Sequence, residues 1–302
     1  MGWHLALGGV SVSVAGIVVL GIVVGFVAGM FGVGGGFLLT PMLTIVFGVP
    51  MPIAIGTGLC QIVGSSVATL LRHRRMGQGE IRFDIVMLVG SVVGVDAGAR
   101  SLSALERLGT VTFAGRSIAA VNLVAEGAYG VMLLSVAALF WRQGGTRTDA
   151  LEHVRVGPLA RVRLGPPIDL PAVPLRRVSA IVIAECGLAL GFVSGLLGIG
   201  GGVALMPVLI YGFGFPIRQA AGTGVLVLVV TSSVGTLEHA IRGHVHLGLA
   251  MLLMVGSTIS AQFGALATRK LSARTLRRAF AAVVMLTFIA VAWDLGRRWM
   301  PR

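Results

Sequence analysis

The residues best suited to chemistry are two glycine clusters, Gly32-Val33-Gly34-Gly35-Gly36 and Gly198-Ile199-Gly200-Gly201-Gly202. Dense glycine interrupts a helix, and an interruption leaves amide N–H groups without carbonyl partners. A short apolar run follows each cluster. A helix begun there would turn free amides and its positive dipole end toward a small anion. Pro41 and Pro207 lie five residues past the clusters and remove one more backbone donor each. Two further triplets, Gly56-Thr57-Gly58 and Gly222-Thr223-Gly224, offer hydroxyls between glycines. The predicted substrate-binding set is therefore Gly32, Gly34, Gly35, Gly36, Pro41, Gly56 and Thr57, with Gly198, Gly200, Gly201, Gly202, Pro207, Gly222 and Thr223. Close helix packing explains glycines of this kind too, and threonines inside helices usually bond to their own backbone.

Ionisable residues within apolar segments are functional candidates by default. Asp96, Glu126 and Glu185 qualify as coupling residues for protons. Pairing with Arg100 or with backbone groups is the structural alternative. Ser65, Ser66, Thr231 and Ser232 fall on one turn of the segments that the Gly-Thr-Gly triplets open, where ordinary packing accounts for them equally well. His73 and His239 sit at segment ends and suit an interfacial structural role. Cys60 and Cys186 lie in apolar runs and form neither a disulfide framework nor a metal pattern. No catalytic triad or metal-ligand cluster stands out, so an enzyme is not expected. The glycines lack the strand, the acidic residue and the Gly-Lys-Ser/Thr of nucleotide-binding loops, and no cofactor is expected.

The elements that must hold these residues are membrane helices. Only 12% of the 302 residues are charged and 56% are hydrophobic, whereas soluble domains carry about a quarter charged residues. No Asp, Glu, Lys or Arg precedes Arg72. At about 1.5 Å per residue, roughly 70 helical residues reach about 105 Å, against about 30 Å of hydrocarbon. That stretch must turn back at or within the bilayer. The N-terminus has no basic region or cleavage site and reads as a retained first helix. The net charge of +13 comes from short loops without an aromatic-interleaved basic face, so it reads as a topology signal and not as nucleic-acid binding.

An internal repeat organises the chain. Gly25 to Gly36 recurs as Gly191 to Gly202, an offset of 166 residues, and Pro41/Pro207, Gly48/Gly214, Pro50/Pro216, Ser66/Ser232, His73/His239 and Gly77/Gly243 follow in register. Apolar segments are expected at 8–31, 36–48, 52–71, 83–104 and 117–141, and at 178–198, 202–213, 218–241, 245–268 and 275–296. The second segment of each set is too short to span alone. The expected division is a first transmembrane repeat over 1–141, a basic, proline-bearing connector with little regular structure over 142–177, and a second repeat over 178–302. The loop after the third segment is basic in the first repeat (Arg72, Arg74, Arg75, Arg82) but not in the second (Arg242). The loop after the fourth reverses the bias: Arg107 and Arg116 stand against Arg269, Lys270, Arg274, Arg277 and Arg278. Opposite bias in equivalent loops favours inverted halves, and so does an odd number of crossings. The arginines at the C-terminus oppose this, and re-entrant short segments would make the halves parallel. The expected fold class is all-α and polytopic: two homologous, inverted repeats of five segments with broken or re-entrant helices after the glycine clusters.

The duplicated G-x-x-x-G-x-x-G-x-G-G-G stretch, the following proline, the Gly-x-Pro turn and the Ala-x-Gly-Thr-Gly segment resemble the TauE/SafE family of sulfite exporters. The resemblance covers both halves outside the connector. It implies secondary transport of sulfite, sulfonates or related organosulfur anions across an inner (plasma) membrane, with the motif residues at the numbers given. The long connector and the isolated acids depart from the pattern. A passive anion channel and a non-transporting membrane scaffold are the alternatives, and paired clusters argue against the scaffold. The expected partners are a small anion and the lipid bilayer, not nucleic acid. Association into a homo-oligomer is compatible with the sequence.

Overall fold

Serine caps and left-handed glycines delimit the first helix of each half. The computed structural model describes residues 4–7, 10–113, 116–144, 156–173 and 175–299. Helix α1 (Val14–Phe31) begins where the Ser13 side chain accepts from the amide of Gly16, and ends at Gly32, whose φ is 66°. The Gly32 amide closes on the Ala28 carbonyl, the αL way to end a helix. It is followed by α2 (Gly36–Ile45), α3 (Met51–Arg75), α4 (Ile81–Arg107) and α5 (Ala120–Gly144). After a single turn, α6 (Pro158–Arg161), comes α7 (Ala180–Leu197), capped by Ser179 and by Gly198 with φ 67°. The second series continues with α8 (Gly202–Pro207), a π-helical extension (Val208–Phe213), α9 (Ile217–Gly222), α10 (Val225–Ile241), α11 (Leu247–Lys270) and α12 (Ala273–Trp299). Helices α1, α2, α3 and α4 start 166 residues before α7, α8, α9 and α11.

Among the described residues, seven helices are long and apolar enough to cross a membrane, and Gly36–Ile45, Val124–Leu139 and Gly202–Phe213 are shorter apolar segments. Val19, Ile22, Val23 and Phe26 on α1 and Met251, Val255, Ile259 and Phe263 on α11 are exposed. An apolar outer surface of that kind belongs in lipid. The chain is a multi-pass helical membrane protein.

Glycine sets the closest approaches. A Cβ on Gly29 would stand 1.9 Å from the Ala261 carbonyl oxygen, and one on Gly264 2.0 Å from that of Phe26. Gly21, Gly25 and Gly29 meet Leu253, Ser257 and Ala261 in the same order, so α1 and α11 run parallel. Gly90, Gly94 and Gly98 meet Ala184, Leu188 and Phe192 likewise, and α4 runs parallel to α7. Small residues every fourth position let membrane helices touch backbone to backbone, where dispersion and polar contacts replace the hydrophobic effect. In the centre, Gly56 meets His239 and Gly235 meets Leu59, so α3 and α10 are antiparallel. Helix α11 lies along α3, and α10 along α4, in like directions. Followed through these neighbours, α1 and α7 point in opposite senses. Phe280 of α12 packs edge-on to Phe31 at 5.0 Å, closing the cluster beside α2.

Three departures from expectation have local causes. Residues 10–13 are not helical: β2 (Val10–Ser13) pairs antiparallel with β1 (His4–Leu7). The alternation of serine and valine there suits a strand better than a helix. A second hairpin, β3 (Thr110–Phe113) with β4 (Arg116–Ala119), precedes α5. The connector carries α6 and a third hairpin, β5 (Pro167–Leu170) with β6 (Leu175–Ser179), where prolines at a strand start and in the turn are tolerated. Residues 145–155 of that connector lie outside the described residues.

Candidate functional site

The two glycine clusters meet. A Cβ on Gly202 would stand 2.1 Å from the Val33 carbonyl oxygen, and one on Gly36 2.9 Å from the Ile199 Cα. Val33 and Ile199 are wholly buried between them. Gly32, Gly34 and Gly35 have φ of 66°, 73° and 79°, and Gly198, Gly200 and Gly201 have 67°, 67° and 71°. Six left-handed residues form two matching turns, a conformation that costs other residues roughly 1–2 kcal/mol each. Gly32 packs on the carbonyl of Ala221 and Gly198 on Ile55, so each turn leans on the third-segment helix of the other half.

Depth and polarity follow from the neighbours. Gly34 and Gly200 both face Ile62 and Leu228. Ile62 stands midway along α3 and Leu228 midway along Ile217–Ile241, which places the crossing near the middle of the spans. Among the described residues, no partner accepts from the amides of Gly34, Gly35, Gly200 or Gly201. The hydroxyls of Thr40, Ser66, Ser194 and Ser232 are buried and likewise have no partner among them. Ser232 Oγ lies 3.5 Å from where a Gly200 Cβ would stand. Polar groups so placed are free to hold a small polar ligand or water. A narrow cleft borders the second turn, lined by Ser91, Ser194, Gly200, Gly201, Leu228 and Thr231 among others. None of the lining side chains is charged. The arrangement offers donors to an anion without a fixed cation that would trap it.

The other expected residues take different places. Thr57 Oγ1 accepts from the His246 amide at 3.1 Å, and Thr223 Oγ1 from the Glu80 amide at 3.0 Å. Each threonine thereby anchors the loop that leads into the fourth-segment helix of the opposite half. Gly56 and Gly222 give those loops room, against His244 and Gln78 respectively. Pro207 is buried within α8. Pro41 lines a separate narrow cleft between α2, α5 and α12, with Thr44, Glu126, Tyr129 and Asp294. Asp96 pairs with Arg100 at 2.9 Å on an exposed face of α4, and Glu185 is exposed on α7. His73 bridges Gln78 and the Gly29 carbonyl; it is structural, but wholly buried and not at the water interface where it was expected.

One acid escaped the sequence reading. Asp84, in the first turn of α4, is fully buried and accepts from Arg74 Nη2 at 2.9 Å and from the Gly224 amide at 2.6 Å. It lies just after the basic loop, at the edge of an apolar segment and not in its middle. The available signal was that the aligned position in the second half is Ala250.

Comparison with known proteins agrees with this architecture. The family profile "Sulfite exporter TauE/SafE" matches residues 17–291. The "Probable membrane transporter protein YunE" of Bacillus subtilis is 24% identical over 89% of this chain and 94% of its own. A "Probable membrane transporter protein" of Xylella fastidiosa is 27% identical over 91% of this chain and 92% of its own. "Sulfite exporter TauE/SafE family protein 3" of Arabidopsis thaliana is 36% identical over 81 residues, 24% of this chain and 17% of its own. No solved structure matches.

Proposed function

The chain belongs to the sulfite exporter TauE/SafE family, and on that footing we propose that it is a secondary transporter of a small anion, sulfite or an organosulfonate, in an inner membrane. The observation that carries the reading is the meeting of two left-handed glycine turns near the middle of the spans, with amides at Gly34, Gly35, Gly200 and Gly201 that have no partner among the described residues. The amides and the hydroxyls of Ser66, Ser194 and Ser232 replace the water around the oxyanion. Irregular backbone survives at this depth only where it is packed in protein or lines a cavity, and paired broken segments mark the site of carriers built from two halves. We read the halves as inverted repeats that rock against each other about Val33 and Ile199, exposing the turns to either side in alternation. The antiparallel course of α3 and α10 and the opposite senses of α1 and α7 support this reading.

The test is uptake of labelled sulfite and a short alkyl sulfonate into proteoliposomes, with and without a pH gradient. Gradient-driven flux that disappears in Gly201→Leu, in protein that still elutes as a folded species, is the expected result. Flux indifferent to any gradient would make the protein a channel. No flux of either anion would remove the organosulfur assignment.

A further inference from the structure

Helix α3 and the segment Ile217–Ile241 each cover 25 residues and share the Gly-Thr-Gly triplet, yet they differ in the middle. Helix α3 is continuous through Gly56-Thr57-Gly58. Its counterpart breaks at Thr223, and Gly224, at φ 84°, starts a new helix. The cause lies outside the triplet. The Gly224 amide donates to Asp84 Oδ1 at 2.6 Å. In an unbroken helix it would donate to the carbonyl of Ala220, four residues earlier. A carboxylate is a charge-assisted acceptor, roughly twice as strong as a neutral one, so Asp84 wins that amide. Facing α3, the position aligned with Asp84 is Ala250 and that aligned with Arg74 is Ala240. No carboxylate competes there, and the helix stays whole.

The charged groups facing Asp84 are Arg74 from α3 and Glu80 from the α3–α4 loop. Glu80 is occupied elsewhere, accepting from the amides of Arg82 and Ala172. The Arg74 side chain is 30% exposed and reaches water if its partner is neutralised.

We propose that Asp84 is a proton-binding site that opens and closes the break between α9 and α10, and that this exchange couples proton movement to movement of the anion. This rests on the transporter reading above. A proton from the aqueous side binds a carboxylate oxygen of Asp84 and cancels its charge, with no bond broken elsewhere than the hydrogen bonds. The weakened acceptor releases the Gly224 amide to the Ala220 carbonyl, and α9 joins α10. The movement reaches the crossing in one turn, because the Gly224 carbonyl accepts from the amide of Leu228, the residue that faces Gly34 and Gly200. Loss of the proton restores the break.

Spin labels at the exposed positions Arg218 and Ile241, in lipid nanodiscs and with Cys60 and Cys186 replaced, read the break as a distance. In mildly acidic buffer the separation should approach the roughly 35 Å of an unbroken helix, and in mildly alkaline buffer it should shorten. Asp84→Asn should keep the acidic distance in both buffers. A label pair along α3, at Ile53 and Arg75, should not move. A distance unaffected by pH in the otherwise native chain overturns the proposal whether or not the variant folds, and so does a pH response that survives in Asp84→Asn. In proteoliposomes the pH gradient should stimulate labelled sulfite uptake about tenfold, and Asp84→Asn should lose that stimulation. Stimulation retained in Asp84→Asn overturns the coupling while leaving the transporter. A pH-dependent distance without any sulfite uptake upholds the proton switch and overturns the transporter reading.

Discussion

The two halves of this protein carry the same motifs, but Gly35 is packed tightly against its own half while Gly201 borders a narrow cleft. Around the first turn, a Cβ on Gly35 would meet Val24 at 2.5 Å and Ala28 at 3.2 Å. There Gln61 donates to Ser257 at 2.7 Å across the helices. Around the second, Ser194 stands where the first half has Ala28, and Val227 where it has Gln61. A cleft opens in place of the Gln61–Ser257 bond. A few side chains beside an unchanged backbone motif thus decide how much room each turn has. The broken and continuous third segments follow the same rule. The repeat supplies two like turns, and packing leaves more room beside the second.

This contrast can be broken most directly at the glycines. Gly35→Ala should lose about 3 kcal/mol of stability, from left-handed strain plus overpacking against Val24. Gly201→Ala should lose only the strain of about 1–2 kcal/mol, because its nearest neighbour is the Leu190 carbonyl at 3.1 Å. Thermal unfolding in detergent checks the pair, and equal losses would mean that the two turns are equally packed. A smaller effect is expected at Ser194. Ser194→Ala removes a hydroxyl with no internal partner, so stability should hold within about 0.5 kcal/mol while sulfite affinity falls about tenfold, the worth of one hydrogen bond. Weaker folding with unchanged affinity would make Ser194 a packing residue. The smallest effect belongs to Asp96. Its partner Arg100 is 73% exposed, and such surface pairs are worth about 0–1 kcal/mol. Asp96→Asn should leave both melting temperature and gradient-driven uptake unchanged; loss of the gradient response would move coupling from Asp84 to Asp96.

Much of the architecture was legible because glycine and proline report backbone geometry directly. The offset between Gly25 and Gly191 foretold two matching turns, and the runs between them foretold the apolar segments. Helix ends were read less well. Val10–Ser13 leads straight into an apolar helix, so its short serine–valine alternation was absorbed into that run, and its pairing with His4–Leu7 shows the strand. The break at Gly224 was hidden for a physical reason: Gly-Thr-Gly is identical in both halves, and the deciding acceptor, Asp84, lies 140 residues away in sequence. Thr57 and Thr223 were read as ligand hydroxyls, yet both accept from loop amides of the opposite half. A threonine's type says that it can bond, while its partner is settled by a contact the local sequence does not encode. Asp96 and Glu185 stood out as charges in apolar runs, but a helix has an outer face, and they occupy it.

The glycine stripes bear on how such a protein is made. Helix α1 leaves the ribosome long before α11, whose surface is shaped to receive its stripe, and α7 must meet α4 across the connector. During synthesis the notched face of α1 has only lipid or an insertion factor to lie against. Neither half completes its own packing, so the early spans stay half-paired until their partners in the other half are made.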